Sequence, residues 1–519
     1  MDKKPLVIHP FLFAIFPVLF LYSHNVQEMF LKWTIVPAAI ILVCTLLLFV
    51  ILSLLCRGKH KAGLLLSILL VYFFLYGYFK EVMHNLPIFN HTRSPHIYIF
   101  FAWTTVFLVG GYFTLKTNRS IVNVTKILNV VAACLVCFSL FNIATFQITT
   151  AISRQGQNRI NRDSREELPV ISVNPLTLPN IYYIILDGHA RNDVLKEELG
   201  YSNDTFLERL RKRGFFVANL ACSNYCHTKF SLPSSLNFMY LNDLVNQVGI
   251  DSTDEKPLRE LFEDNRVFKF LKMHGYSIVS FRTSYSFFNL DNTNVQMFKG
   301  YCLWSDFSRE LTNNTVARSL LFLKHSFRRH YHQILYTFEH LADTAKMKPP
   351  VFVYSHFLIP HPPYVFDENG HFTCPKGPFR LTHTLLKITE KEGNMGYLGQ
   401  LKYADKKIIE TIDDILASSS RTPIIVLQAD HGIHWNLNRL NPSENDSHSY
   451  KSSFGILNAY YFPGFDYSQL YDSISPVNTF RLVFNHYFGT NFELLKDESY
   501  FSTKKKPYKF INVTDQLKQ

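Results

Sequence analysis

Several patterns that would assign a protein to a common functional class are missing from this sequence. There is no internal repeat and no low-complexity tract, so a solenoid or fibrous architecture is excluded. The eight cysteines form no pair of CxxC motifs, which argues against a zinc-finger or zinc-ribbon site. The net charge is +12, but neither a basic helix nor an aromatic RNA-binding signature accompanies it, and we expect no nucleic-acid partner.

Long apolar stretches fill the first 150 residues. Each is close to the roughly 20 residues that a membrane-spanning helix needs, and the stretches cover residues 5–22, 33–56, 62–79, 97–115 and 127–146. Lys3 and Lys4 would also suit a signal peptide, but Ser23-His24-Asn25 contains no small-residue cleavage site. The sequence therefore predicts a transmembrane domain of five helices over residues 1–150.

Positive charge is unevenly distributed among the loops between these stretches. With five spans and the amino terminus inside, the cytoplasmic loops hold Arg57, Lys59, Lys61, Lys116, Arg119 and Lys126. The opposite loops hold only Lys32, Lys80 and Arg93. Because cytoplasmic loops carry an excess of Lys and Arg, this pattern predicts a multi-pass protein of the cell inner (plasma) membrane with an extracytoplasmic carboxyl-terminal part.

A cluster of arginines follows the fifth stretch, at Arg154, Arg159, Arg162 and Arg165. These arginines lie on the predicted outer side and so nearly cancel the excess of positive charge in the predicted cytoplasmic loops. Long domains, however, cross the membrane largely regardless of charge. Residues 151–178 are predicted to form a juxtamembrane linker. Its arginines would either lie along anionic lipid headgroups or belong to a solvated tether, and both interpretations stay open.

Half of the cysteines lie in the outer part, at Cys222, Cys226, Cys302 and Cys374. The others lie in or beside the apolar stretches, where they serve as small apolar residues. An even number in an oxidising compartment would allow one or two disulfides in the outer part, whose pairing the sequence leaves open.

From residue 179 onward, short apolar runs alternate with helical patterns. Strand-like runs cover residues 181–186, 276–281, 351–356, 424–428 and 456–462. Helical patterns between them include residues 203–213, 265–274 and 398–416. This alternation predicts one large α/β domain over residues 179–519, with a mainly parallel sheet and helices on both faces.

Two of the strand-like runs end in acidic residues. Asp187-Gly188 follows the run 181–186, and Asp430-His431-Gly432 closely follows the run 424–428. The carboxyl ends of parallel strands form the crevice where open α/β sheets bind ligands. A charged residue and an imidazole there are costly unless they are paired or bind a metal. These residues therefore predict a metal site, and with it an enzyme.

Four segments resemble, in the same order, the motifs of the sulfatase-like branch of the alkaline phosphatase superfamily. They are Asn180-Ile-Tyr-Tyr-Ile-Ile-Leu-Asp187-Gly188, Ser223-Asn-Tyr-Cys-His-Thr228, His356-Phe-Leu-Ile-Pro-His361-Pro-Pro-Tyr364 and Asp430-His431-Gly432. The five predicted spans before them look like those of membrane-anchored lipoteichoic acid synthases and phosphoethanolamine transferases. The resemblance implies an alkaline-phosphatase-like (sulfatase-like) domain.

The resemblance also implies roles for individual residues. The ligands of a divalent metal would be Asp187, Thr228, Asp430 and His431. These oxygen donors with a single imidazole favour Mn or Zn, while Mg and Ca stay open. His361 would hold phosphate or assist proton transfer, and His356 and His434 would contact the substrate. His434 and His448 also lie in a polar stretch that would suit an ordinary loop.

The nucleophile is predicted from its place before a helix. We expect a helix to begin near Ser231, and backbone N–H groups at a helix start favour an incoming phosphate. The resemblance to an Asn-Tyr-x-x-Thr segment favours Thr228 as the nucleophile. Ser231 is the second choice, and is otherwise expected to cap the helix.

Two departures from the family pattern bear on the expected function, of which the first argues against one activity and the second leaves the subfamily open. The run Ser231-Leu-Pro-Ser-Ser235 lacks the arginine of the C/S-x-P-x-R motif that formylglycine sulfatases need, so we do not expect their activity. Asp187 stands where the lipid-dependent transferases usually have Glu, which is also an oxygen donor.

The predicted function is a metal-dependent transferase embedded in the membrane. It would move a phosphate-linked headgroup from a phospholipid donor to an envelope glycan or lipid acceptor through a phospho-threonine intermediate. Two alternatives stay open, a phosphodiesterase or sulfatase-like hydrolase of the same fold and a non-catalytic lipid sensor. The sequence does not define the oligomeric state.

Overall fold

The computed structural model describes residues 5–84, 95–157, 168–172, 174, 177–290, 295–301, 305–317, 323–375, 379, 389–434 and 446–518. The chain divides into two compact units, which we call the helical unit (residues 1–152 and 304–323) and the α/β unit (residues 153–303 and 324–519). The domain boundaries at residues 150 and 178 stay predictions. Arg159, Arg162 and Arg165 of the predicted linker lie outside the described residues, as does Cys302.

The amino-terminal part of the helical unit consists of helices α1 (His9–His24), α2 (Lys32–Leu55), α3 (Lys59–His84), α4 (Pro95–Lys116) and α5 (Val122–Gln157). Within the described residues, four segments are long and apolar enough to cross a membrane: Lys32–Leu55, Lys59–Lys80, Tyr98–Lys116 and Val122–Ile152. α1 has 16 residues. At 1.5 Å per residue it is about 24 Å long, which is less than the hydrocarbon core of about 30 Å. The count of five spans therefore stays a prediction.

The side chains of α2 show which environment these helices need. Ile35, Val36 and Leu54 are 61%, 65% and 75% exposed. Large apolar surfaces of this kind are stable in hydrocarbon and unfavourable in water. α1 differs, because Val18 and Tyr22 are almost completely buried. α1 is therefore an inner helix of this unit.

The α/β unit is built on a seven-stranded sheet. Its strands are β1 (Ile181–Leu186), β2 (Phe216–Val217), β3 (Ser277–Phe281), β4 (Gln296–Phe298), β5 (Val351–Phe357), β6 (Ile424–Gln428) and β7 (Asn458–Tyr461). Their spatial order is β2-β7-β6-β1-β5-β3-β4. The neighbours from β6 to β4 are parallel, which confirms the predicted mainly parallel sheet. β7 is antiparallel to both β6 and β2.

β1 lies at the centre of the sheet, and all of its residues are buried. A parallel strand that is covered on both faces has no solvent side, which is why it reads as a continuous apolar run. Leu186 at its end pairs with Phe357 of β5, and Ile185 pairs with Gln428 of β6. The three strands therefore end at the same edge of the sheet.

The helices of the α/β unit are α6 (Asn192–Leu199), α7 (Asp204–Lys212), α8 (Thr228–Asn237), α9 (Asn242–Val248), α10 (Lys256–Glu263), α11 (Arg266–Met273), α13 (Leu323–His340), α14 (Glu390–Ser418), α15 (Ser447–Phe454) and α16 (Pro476–Phe488). α12 (Asp306–Asn313) belongs to the helical unit. A small second sheet pairs β8 (Tyr500–Phe501) with β9 (Ile511–Asn512). α14 begins earlier than the predicted 398–416, because Thr389 and Glu392 form a capping box at its start.

The start of α8 differs from the sequence expectation. The helix begins at Thr228, after His227 in an extended conformation, and no side chain caps it. Ser231 lies in the first turn, where its Oγ donates a 2.7 Å hydrogen bond to the carbonyl oxygen of Tyr225. The expectation that Ser231 caps a helix starting near it is therefore wrong, because its hydroxyl is used by the preceding loop.

Candidate active site

Three neighbouring strands deliver polar residues to one edge of the sheet. Asp187 follows β1, Asp430 follows β6, and His356 lies near the end of β5. Gly188 has a φ of +72°, a left-handed conformation that favours glycine, and it turns the chain directly after Asp187. Its backbone N–H donates to Oδ1 of Asp430 over 3.1 Å, which ties the two loops together.

Two carboxylates are buried together at this edge. Asp187 is 1% exposed and Asp430 is 2% exposed. Oδ2 of Asp187 accepts a 3.0 Å hydrogen bond from Nε2 of His356. Nε2 of His431 lies 3.3 Å from Oδ1 of Asp187 and 3.6 Å from Oδ2 of Asp430, and neither contact has hydrogen-bond geometry. Each carboxylate thus has one buried oxygen available to a further ligand.

The imidazoles around these oxygens are oriented by backbone carbonyls. Nδ1 of His431 donates to the oxygen of Gly432 over 2.8 Å, and Nδ1 of His361 donates to the oxygen of Pro362 over 2.7 Å. With Nδ1 used in this way, Nε2 of each ring is the nitrogen that would bind a metal, which is the usual arrangement of metal-bound histidines. In each of two sets of residues, the possible ligand atoms lie within 4.8 Å of one another. One set is Asp187, His361 and His431, and the other is Asp187, His356 and Asp430. These donors fit a divalent metal ion.

Electrostatics keeps the centre of the cluster anionic. Burial would raise the pKa of Asp187, but the neighbouring imidazoles of His361, His356 and His431 outweigh it and hold that pKa well below its usual range. Burial lowers the pKa of His431, while the charges of Asp430 and Asp187 raise it to about 9. Burial also lowers the pKa of His361. The ionised carboxylate of Asp187 therefore favours a cation as its partner.

The residue before Thr228 lies near one of the histidines beside this cluster, and the place of Thr228 at the metal stays a prediction. The ring of His227 lies 6.2 Å from the ring of His434, which in turn lies 4.0 Å from the ring of His431. Thr228 itself is the first residue of α8 and is 8% exposed. His434 is thus adjacent to the cluster. The other weak histidine candidate, His448, lies 3.4 Å from Oε1 of Glu198.

The loop before Thr228 is held by an asparagine that sequence reasoning did not single out. Asn224 is 1% exposed, and its Nδ2 donates to Oγ of Ser475 and to the oxygen of Glu498. Its Oδ1 accepts from the backbone N–H of Val477. These partners come from distant parts of the chain, so no local pattern reveals the role of Asn224.

Two residues of α14, Asp405 and Gln400, support the candidate site. Nε2 of His189 lies 2.8 Å from Oδ1 of Asp405, and both residues are buried. Gln400 donates from Nε2 to the carbonyl oxygens of Pro360 and His361 and accepts from the backbone N–H of Val365. α14 therefore positions both the turn after Asp187 and the loop that carries His361.

Among the described residues of the α/β unit, no disulfide joins Cys222, Cys226 and Cys374 to one another. A pairing that involves Cys302 lies outside the described residues. Oxidation would be limited at Cys226, which is buried.

No protein-family model and no curated protein matches the sequence. Solved structures match at low identity. One is the integral membrane protein lipooligosaccharide phosphoethanolamine transferase A from Neisseria meningitidis, 12% identical with a TM-score of 0.40, the match covering 92% of this chain and 94% of that chain.

Two more of the matching structures are a periplasmic domain and a lipoteichoic acid synthase. The C-terminal periplasmic domain of EcEptC from Escherichia coli, in complex with Zn, is 13% identical with a TM-score of 0.42, over 67% of this chain and 96% of that chain. The lipoteichoic acid synthase LtaP from Listeria monocytogenes is 15% identical with a TM-score of 0.38, over 68% and 85% of the two chains. These are the kinds of enzyme that the four motifs of this chain resemble, and likeness at this level does not assign an activity.

Proposed function

We propose that the chain is a membrane-anchored, metal-dependent enzyme that transfers a phosphate-linked headgroup from a phospholipid to an acceptor hydroxyl outside the plasma membrane. The observation that carries the proposal is the meeting of two buried carboxylates, Asp187 and Asp430, with the imidazoles of His431 and His361 at the carboxyl edge of the sheet. Such donors suit a divalent cation and the anionic phosphoryl group that accompanies it. The apolar helices of the same chain suit a lipid donor.

The residues that would hold the ion are Asp187, Thr228, Asp430 and His431. Carboxylate and hydroxyl oxygens with one imidazole favour Zn or Mn over Mg or Ca. A bound divalent ion would lower the pKa of the Thr228 hydroxyl and neutralise charge on the phosphoryl oxygens. His356 would fix the orientation of Asp187 through its 3.0 Å hydrogen bond.

In the first half-reaction, Oγ1 of Thr228 attacks the phosphorus of the donor. The bond between phosphorus and the glycerol oxygen breaks, the threonine proton passes to that oxygen, and diacylglycerol leaves. Thr228 is the first residue of the ten-residue helix α8, and the start of a helix is a place where phosphate oxygens are favoured. The headgroup phosphate is then covalently held on Thr228.

In the second half-reaction, an acceptor hydroxyl attacks the same phosphorus. The bond from phosphorus to Oγ1 of Thr228 breaks, and the proton of the acceptor hydroxyl returns to Thr228. His361 would hold the phosphoryl group or carry this proton, because its imidazole lies among the donor groups around Asp187.

A cavity beside the His361 loop is the proposed place for the acceptor. It has a volume of about 650 Å³ and lies between residues 364–375 and α14. This volume falls in the range of roughly 300–1,000 Å³ that is typical of small-molecule sites. Tyr364, Met395 and Leu398 supply apolar lining. Acids outnumber bases among the lining residues, which include Asp367, Glu368, Glu392 and Lys402, so an anionic acceptor is disfavoured.

A phospholipid with a labelled headgroup phosphate tests the proposal. With Zn or Mn present and no acceptor, we expect label on Thr228 by mass spectrometry, no label in Thr228→Ala, and most of the label retained in Ser231→Ala. Label released as free headgroup phosphate would identify a hydrolase. Absence of both adduct and turnover would contradict the proposal and favour a lipid sensor.

A further inference from the structure

A short segment in the middle of the α/β part of the sequence belongs to the helical unit. It comprises residues 305–316, and its helix α12 is capped by Ser305, whose side chain accepts from the backbone N–H of Ser308. Phe307 and Leu311 lie one turn apart on one face of α12 and are 0% and 8% exposed. α12 is thus an amphipathic helix whose apolar face is covered.

The partners of this face are the amino-terminal helices. Phe307 and Leu311 share an apolar cluster with Leu21 and Tyr22 of α1 and with Phe74 of α3. Leu21 and Tyr22 lie at the end of α1, and Phe74 lies in the second half of α3. The predicted topology places both of these helix ends outside, on the same side as the α/β unit.

The residues after α12 are bonded to α3 through the backbone. The N–H of Gly77 donates to the oxygen of Asn314 over 2.9 Å, and the N–H of Val316 donates to the oxygen of Phe73 over 2.9 Å. A Cβ atom on Gly77 would lie 2.5 Å from Cα of Asn314, so only glycine allows this approach. Apolar packing and backbone hydrogen bonds are independent observations of the same docking.

We propose that residues 305–316 are a second attachment of the α/β unit to the membrane helices, separate from the linker that follows α5. The chain leaves the α/β unit after residue 303 and returns to it at residue 324. Cutting the linker therefore leaves the α/β unit held by a segment that is already docked, and this docking does not depend on the proposed chemistry. Because both attachments belong to one chain, each attachment holds the α/β unit near the membrane helices and so raises the effective concentration at which the other attachment forms.

A protease site inserted after Asn161 tests this in the full chain reconstituted in nanodiscs. After cleavage, we expect the carboxyl-terminal fragment of the wild type to remain with the nanodiscs in high salt. In the double variant Phe307→Ser and Leu311→Ser we expect retention of the fragment to fall by about tenfold or more, because each change removes a buried apolar side chain. The matched control is Leu220→Ser with Ile250→Ser, two exposed apolar residues of the α/β unit, which should retain the fragment.

Release of the wild-type fragment upon cleavage would overturn the proposal, and so would equal retention of the double variant and the wild type. A second measurement needs no substitution. Hydrogen exchange of the uncut chain should show slow exchange at the backbone N–H of Val316, because that group donates to Phe73. Exchange at the rate of an exposed loop would also overturn the proposal.

Discussion

Oδ1 of Asp187 lies 3.3 Å from Nε2 of His431, although the two residues come from different strands far apart in the chain. Oδ2 of Asp430 approaches the same nitrogen to 3.6 Å. Buried carboxylates are stable only when a cation or hydrogen-bond donors compensate their charge. The arrangement therefore favours a cation between these two carboxylate oxygens and the imidazole nitrogen.

Removal of a proposed ligand should abolish metal binding without unfolding the α/β unit. We expect Asp430→Ala and His431→Ala each to weaken Zn or Mn affinity by more than about 100-fold, because loss of a residue that merely orients a ligand already costs roughly 10–100-fold. Metal titration of the purified protein measures this. His486→Ala, at an exposed histidine of α16, is the control and should bind normally. Unchanged affinity in both site variants would contradict the proposed metal centre.

The pair of His189 and Asp405 should support the turn after Asp187. Asp405→Ala leaves a buried imidazole without its 2.8 Å partner, and we expect a loss of about 2 kcal/mol in the free energy of unfolding, measured with urea. Because the turn would also lose its anchor, metal affinity should fall about tenfold in the folded protein. Asp413→Ala on the same helix breaks only the exposed pair with Arg213 and should cost less than about 1 kcal/mol. Equal effects of the two variants would contradict this role.

The central strands β1 and β6 were predictable because β1 is apolar throughout and β6 is apolar except for its last residue, Gln428. β1 and β6 have the bounds that the sequence predicted, since each apolar run is bordered by polar or turn-forming residues. β2 has two residues, which is too short for any periodicity to appear. The run 456–462 contains β7, but its antiparallel direction depends on its hydrogen-bonded neighbours and not on its composition.

The supporting residues of the candidate site could not be predicted for a different reason. A lone His189 after a glycine carries no signal, because its partner Asp405 lies 216 residues later on a helix. Gln400 acts through backbone groups of the loop 360–365, and a glutamine on a helix is ordinary. The motifs contain the side chains that are expected to bind a ligand. The residues that orient these side chains are distant in the sequence, so they can be recognised only in the folded chain.

If the cavity beside the His361 loop binds the acceptor, a substitution that fills it should impair the second half-reaction and leave the first unchanged. Met395 lines the cavity and is 56% exposed, so Met395→Trp should fill part of the space. We expect transfer to the acceptor to fall by at least about fivefold, which corresponds to a loss of about 1 kcal/mol in acceptor binding, because the indole ring would occupy space that the acceptor needs. The adduct on Thr228 should still form. Met273→Trp, at an exposed methionine of α11, is the matched control. Loss of the adduct itself in Met395→Trp would contradict the assignment of this cavity to the acceptor.

The number of spans depends on α1, and its contacts favour a crossing. At its start, Oδ1 of Asn129 in α5 accepts from the N–H of His9, and Nδ2 of Asn129 donates to the oxygen of Leu6. Asn129 lies near the beginning of α5, an end that the charge pattern places inside. At its other end, Tyr22 packs with α12, on the side expected to be outside. We therefore expect α1 to run through the membrane despite its 16 residues.

Single cysteines in a variant whose native cysteines are replaced by serine test this arrangement in intact cells with a membrane-impermeant thiol reagent. We expect Lys496→Cys to be labelled, and Lys59→Cys and Leu6→Cys to be shielded, because five spans place residues 6 and 59 inside. Lys496 and Leu6 are 78% and 80% exposed, so burial would not hide either position. Labelling of Leu6→Cys while Lys59→Cys stays shielded would mean four spans, with α1 returning to the side on which it began. Labelling of Lys59→Cys with Lys496→Cys shielded would reverse the whole topology and contradict an extracytoplasmic α/β unit.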